Sequence, residues 1–248
     1  MTVLAIAGRE LRSLFLSPLA WTLLAVVMAI LAYMFNAQVD FFLQIQPRLP
    51  GMPNAPGATE IIVAPVLGNA AIVLLLIMPL LTMRLVSDEL RNQTLSLLFS
   101  APLTMSDIVF GKYIGMLGFI AILVLLIALM PISLLAGGRL DLGMVASGLF
   151  GLFLMLAAFS AVGLFMSTLT AQPTIAAVST FGALLLLWII DWSGAGTGGV
   201  LAYLSMLRHY EALLRGVFNS TDVIYYVLVI IGFIVLSIRR LDSYRLQH

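Results

Sequence analysis

Cysteine is absent from this 248-residue chain, histidine occurs twice, and only 9% of the residues are charged. Without cysteine there is no disulfide, no thiolate nucleophile and no sulfur-ligated metal. Two histidines, His209 and His248, are too few for a histidine metal cluster, so a metal centre is not expected. The formal net charge of +1 provides no basic face for nucleic acid. What fills the chain instead is apolar: 62% hydrophobic residues and a mean hydropathy of +1.14. A soluble domain holds about 45–50% apolar and about 25% charged residues. This composition belongs to an integral membrane protein, all-α because helices satisfy their own backbone inside a bilayer.

Apolar segments of span length fall at 19 to 41, 61 to 86, 113 to 136, 144 to 169, 174 to 191 and 222 to 238. They predict a six-helix transmembrane bundle forming a single domain over 1–248, with both termini on one side. With cytoplasmic termini the inner side holds Arg9, Arg12, Arg84, Arg91, Lys112, Arg239, Arg240 and Arg245. The outer side then holds Arg48, Arg139, Arg208 and Arg215. Eight against four follows the positive-inside rule. Residues 1–17 read as an amphipathic interfacial helix, with Leu4, Ile6, Leu11, Leu14 and Phe15 on one side and Arg9, Glu10 and Arg12 on the other, ended by Pro18. The first apolar run is span-length and lacks a small-x-small cleavage site, so it is read as a retained helix and not a secretory signal.

The outer loop 43 to 60 carries four of the ten prolines and reads as an extended spacer. Residues 192–221 are too polar to span and too apolar to float free, which predicts an outer re-entrant or interfacial helix. Its apolar positions Leu201, Leu204, Leu207, Ala212, Leu213 and Phe218 are interrupted by Arg208, His209, Glu211 and Arg215. His209, with no second ligand nearby, reads as a hydrogen-bonded structural residue.

The span interiors show no clear ionisable group, which argues against an ion-coupled carrier. They offer no catalytic constellation and no filter or charged ring, which argues against an intramembrane enzyme and a passive channel. Candidate pathway residues are mild: Asn36, Asn69, Ser160 and Ser179, each explained equally by bonding between helices. Gly111, Gly115, Gly148, Gly151 and Gly163 predict close helix approaches, and Pro65, Pro79 and Pro131 predict bends.

The longest soluble-looking stretch is "SDELRNQTLSLLFSAPLTMSDIVFGKY", residues 87 to 113. Ser87 reads as an N-cap, Asp88 and Glu89 complement the helix dipole, and Leu90, Thr94, Leu97 and Leu98 fall on one face before Pro102 ends the helix. Thr104 with Asp107 forms a capping-box-like start for a second helix running through Lys112 into the third span. Residues 87–103 are thus a short amphipathic helix at the inner face, shaped for a soluble partner to push on.

This stretch resembles the coupling-helix signature of type-2 ABC transporter permeases: the acidic pair Asp88-Glu89, Gln93-Thr94-Leu95, Leu97-Leu98, Ser100-Ala101-Pro102 and Gly111-Lys112. The usual glycine before the threonine is Gln93 here. A second stretch, "LRHYEALLRGVFNSTDVIYY", residues 207 to 226, looks like the outer segment of the GldF and NosY branch through His209, Glu211, Arg215, Gly216 and the Asp-x-x-Tyr-Tyr pattern. The resemblance implies a permease subunit of an ATP-driven exporter in the bacterial inner membrane, switching between inward and outward access. It implies partnership with a second permease copy and with cytoplasmic ATPase subunits that meet Asp88, Glu89, Arg91, Thr94, Leu97, Leu98 and Pro102. ATP and Mg would sit on that partner chain, and no cofactor is expected on this one: Gly111-Lys112-Tyr113 lacks the rest of a phosphate-binding loop. The alternative is an ATPase-driven mechanotransmitter or scaffold that acts on an envelope partner, periplasmic or in the membrane, without moving a small substrate.

Overall fold

The computed structural model describes residues 2–47, 57–94, 104–136, 140–189 and 205–247. Nine α-helices lie among them: α1 (Thr2–Leu16), α2 (Pro18–Ile45), α3 (Ala64–Thr82), α4 (Ser87–Arg91), α5 (Met105–Ser133), α6 (Leu142–Leu169), α7 (Pro173–Ile189), α8 (Met206–Leu214) and α9 (Ser220–Gln247). No strand occurs among the described residues.

Five helical stretches are long and apolar enough to cross a membrane: Pro18–Ile45, Thr59–Arg91, Met105–Ala136, Leu142–Leu169 and Ser220–Arg245. The fifth apolar segment expected from the sequence forms α7, 17 residues within the described range. The bundle is apolar outside as well as inside, with Tyr33, Leu125, Val178 and Leu228 all more than 60% exposed. In water this would be an aggregating surface; in a bilayer it is the solvated one. The chain is therefore membrane-embedded.

Helix α6 is the hub, packing on α3, α5, α7, α8 and α9. Within its most apolar stretch 72% of residues are buried, against 22% in α2 and in the final helix. Small residues make this centrality feasible, because backbones approach closely only where no Cβ intervenes. A Cβ on Gly148 would lie 2.8 Å from Leu67 Cδ1, one on Gly151 2.9 Å from Leu213 Cβ, and one on Gly163 2.6 Å from Thr82 Cβ. The glycines singled out in the sequence are thus occupied by contacts within the chain. Hydroxyl-to-carbonyl bonds tie the central helices. Tyr113 Oη donates to the Ala157 carbonyl at 3.0 Å, tying α5 to α6, and Ser160 Oγ donates to the same carbonyl at 2.8 Å.

Proline 65 falls where a π turn, Thr59–Val63, passes into α3. It offers no N–H to the Ile61 carbonyl and its ring crowds that oxygen, and the wider turn accommodates both. Proline 79 lies inside α3 and Pro131 in the last turn of α5.

The two ends of the bundle differ. At one, Asp141 N–H donates to Thr59 Oγ1 at 3.0 Å, joining the starts of α3 and α6, and α8 packs beside them. At the other, α1, α4 and the start of α5 come together.

Candidate functional site

Helix α1 packs along α5. The groove is made by glycine. A Cβ on Gly111 would lie 2.6 Å from Ile6 Cγ2, and one on Gly115 would lie 2.8 Å from Glu10 Cβ and 2.9 Å from the Ala7 carbonyl oxygen. The face laid into it carries Ile6, Ala7, Glu10 and Leu11. Leu4, expected on the apolar side, is 72% exposed, and Glu10, expected with Arg9 and Arg12, turns inward. The reason is Lys112, whose side chain is only 2% exposed and whose Nζ needs acceptors there.

Two carboxylates provide them. Glu10 Oε1 of α1 lies 3.0 Å from Lys112 Nζ, and Glu89 Oε1 of α4 lies 2.8 Å from it. Arg9 Nη2 approaches Glu89 at 4.0 Å, with its guanidinium largely in solvent. The network spans three helices, so α4 is ionically fastened to both α1 and α5. Glu89 Oε2 is buried without a hydrogen-bond partner. At the junction of α1 and α2, Trp21 Nε1 donates to the Phe15 carbonyl at 2.7 Å, and the Phe15 ring meets both Trp21 and Phe119.

The start of α4 departs from the sequence reading. Ser87 is the first helical residue and not its cap: its hydroxyl donates to the Met83 carbonyl, while Val86 takes the cap position. The chain leaves α3 in a continuous turn, so a free N-terminus for Ser87 to cap never forms. The helix also closes early. Thr94 N–H bonds the Glu89 carbonyl at 3.1 Å and Gln93 N–H bonds the Leu90 carbonyl at 3.4 Å, the paired closure of a Schellman turn. Gln93 sits at φ 55°, the left-handed position where that turn favours glycine. Gln93→Gly is therefore expected to stabilise the turn by about 1 kcal/mol, slowing amide exchange at Thr94 about fivefold. Unchanged exchange would count against strain at this residue. Asp88 and Glu89 are half-buried, Arg91 and Thr94 exposed. Leu97, Leu98 and Pro102 lie outside the described residues.

The Thr104–Asp107 capping box is present in full: Asp107 N–H donates to Thr104 Oγ1 at 3.2 Å and Thr104 N–H to Asp107 Oδ2 at 3.1 Å. It starts α5 so that Gly111, Lys112 and Gly115 are already helical when they meet α1.

Of the outer segment, residues 192–204, including Leu201 and Leu204, lie outside the described residues. The remainder forms α8, capped by Ser205. His209 faces inward beside Met206, Tyr210 and Leu213, on the buried side of the helix. Its Nδ1 lies 2.6 Å from Asp222 Oδ1, and its ring stacks on Tyr225 with centroids 4.2 Å apart. Tyr226 Oη donates to the Met206 carbonyl at 2.8 Å and Tyr210 Oη to the Leu67 carbonyl at 3.0 Å. Burial pushes the Tyr210 phenol well above its usual pKa. Glu211 and Arg215 are exposed, and Gly216 adopts φ 76° at the helix end. The Asp-x-x-Tyr-Tyr pattern is thus the lock that holds α8 against α9, a role that required knowing Asp222 faces His209.

Among the described residues, no hydrogen bond links the candidate pathway residues to one another. Asn36 is exposed and Asn69 half-buried. Ser160 is buried and Ser179 half-buried, and each hydroxyl donates to a carbonyl one turn back in its own helix. Among the described residues no group of His, Asp or Glu could hold a metal ion. No protein-family model matches the chain, and no curated protein matches it.

Proposed function

We propose that this chain is the membrane-spanning subunit of an ATP-driven transporter of the type-2 ABC class, related to its GldF and NosY branch and of exporter type. On this reading it makes six crossings of a bacterial inner membrane, with α7 as the fifth and both termini cytoplasmic. It pairs with a second permease copy and with separate ATPase subunits that carry ATP and Mg. The observation that supports it most is the Glu89–Lys112–Glu10 network. A short helix at the end of the second spanning stretch is tied by charge to the third spanning helix and to the helix packed along it. A force on α4 is thereby delivered to α5, where Lys112 is buried, and would dissipate if α4 were a free surface loop. Glu89 would then carry the load to Lys112, and the exposed Arg91 beside it would meet the partner.

The test is affinity purification of the tagged chain from its native membrane, with co-purifying proteins identified and ATP hydrolysis assayed in the same sample. Recovery of a P-loop ATPase with vanadate-sensitive activity is expected. Glu89→Arg is expected to weaken ATPase retention or uncouple transport from hydrolysis. Arg91→Glu, which leaves the Lys112 network intact, separates a docking defect from a broken network. Wild-type docking and coupled transport in Glu89→Arg would reject the coupling role. If nucleotide changes the binding of an envelope partner and moves no solute, transmission replaces transport as the function.

A further inference from the structure

The same end of the bundle holds a cavity of about 770 Å³, between the charged network and the ends of α2 and α3. That volume lies within the roughly 300–1,000 Å³ typical of small-molecule sites. Its wall is divided by chemistry. Leu19, Leu81 and their neighbours present an apolar side, while Arg9, Arg84, Asp88 and Glu89 present charge. Three cations and three carboxylates face the cavity, counting Lys112 and Glu10, so it is formally neutral.

The pairing within it is incomplete. Lys112 is held by Glu10 and Glu89. Arg84 and Asp88 line the same cavity, yet neither side chain makes an ion pair or hydrogen bond among the described residues, with each other or with anything else. Glu89 Oε1 is held by Lys112 and its Oε2 is closed off from the cavity, which leaves Asp88 as the carboxylate open to it. A cation and an anion held apart in one cavity complement a ligand carrying both signs. The unpaired Asp88 carboxylate further asks for N–H donors, which a primary ammonium has and a quaternary one lacks. The apolar wall asks for a hydrocarbon tail.

We propose that this cavity is a binding site for a phospholipid with a primary-ammonium headgroup. The phosphate lies against Arg84 and the exposed Arg9 guanidinium, the ammonium against Asp88, and an acyl chain along Leu19 and Leu81. The site rests on the geometry of α1, α3 and α4 and is independent of the transport reading.

The purified full-length chain in mild detergent, titrated with dioctanoyl phosphatidylethanolamine, phosphatidylcholine or phosphatidylglycerol and read by native mass spectrometry, tests it. The ethanolamine lipid is expected to bind about tenfold more tightly than either of the others, since one or two charge-assisted hydrogen bonds distinguish them. Arg84→Gln and Asp88→Asn are each expected to remove that preference. Arg12→Gln, on an exposed residue that does not line the cavity, is expected to keep it. Because Arg84 is exposed, its variant is expected to fold and carries the test if Asp88→Asn does not. Equal binding of the three lipids, preference for the glycerol lipid, or an unchanged preference in Arg84→Gln would each overturn the proposal. Soluble phosphoethanolamine binding as tightly as the lipid would overturn the role of the apolar wall.

Discussion

Lys112→Met is expected to release α1 from the bundle. The substitution keeps the volume and removes the one cation that, among the described residues, both Glu10 and Glu89 touch within 3.0 Å. Two carboxylates, 15% and 18% exposed, are then left facing each other across an apolar side chain. Losing one partner of a buried charge network costs about 3 kcal/mol or more, because the penalty is the desolvation of what remains. Amide exchange over residues 3–16 should accelerate by more than tenfold while the hub helix α6 stays protected. Adding Glu10→Gln and Glu89→Gln to Lys112→Met should return most of the protection, since no unpaired charge is then buried. Unaltered exchange in the single variant would show that glycine packing alone holds α1.

Gly163→Ala is expected to have a comparable cost through packing alone. The new methyl would collide with Thr82 Oγ1 and sit 2.6 Å from Thr82 Cβ. Thr82 cannot easily yield: it is fully buried and its hydroxyl donates to the Met78 carbonyl at 2.9 Å. Either α3 must move away from α6 or the hydroxyl must lose its acceptor. Overpacking of this kind costs about 1–3 kcal/mol, and the upper end is expected because both contacting groups are close to backbone. Gly163→Leu should abolish accumulation of folded protein. The measurement is the thermal midpoint in detergent, and Gly163→Ala with Thr82→Gly should recover most of the loss. An unchanged midpoint in the single variant would mean the helices separate freely at this crossing.

Much of the framework could be read from residue order. The apolar helices were visible because about twenty apolar residues in a row have no other soluble-phase explanation, and five of the six expected segments form helices long and apolar enough to cross a membrane. The capping box at Thr104 was visible because it is local, made by residues three apart. So was the structural character of His209. The end of α4 was partly visible: the turn at Gln93 falls where a glycine would ordinarily stand, but the hydrophobic repeat through Leu97 and Leu98 suggested a longer helix than the described residues contain.

What could not be read is everything that needs a partner from elsewhere in the chain. Glu10 resembles any surface residue of an amphipathic helix until Lys112, 102 positions away, is placed beside it. Ser87 looks like a cap until the turn out of α3 removes the terminus it would cap. The glycines announced close contact without saying with what: Gly111 and Gly115 hold α1, while Gly163 receives Thr82. Composition, span spacing and local caps are set by the free energy of transferring a segment into the bilayer and by bonds within one turn, so sequence by itself determined them. The pairing of charges and the seating of one helix in another's groove depend on which surfaces meet, and those only the tertiary structure decided.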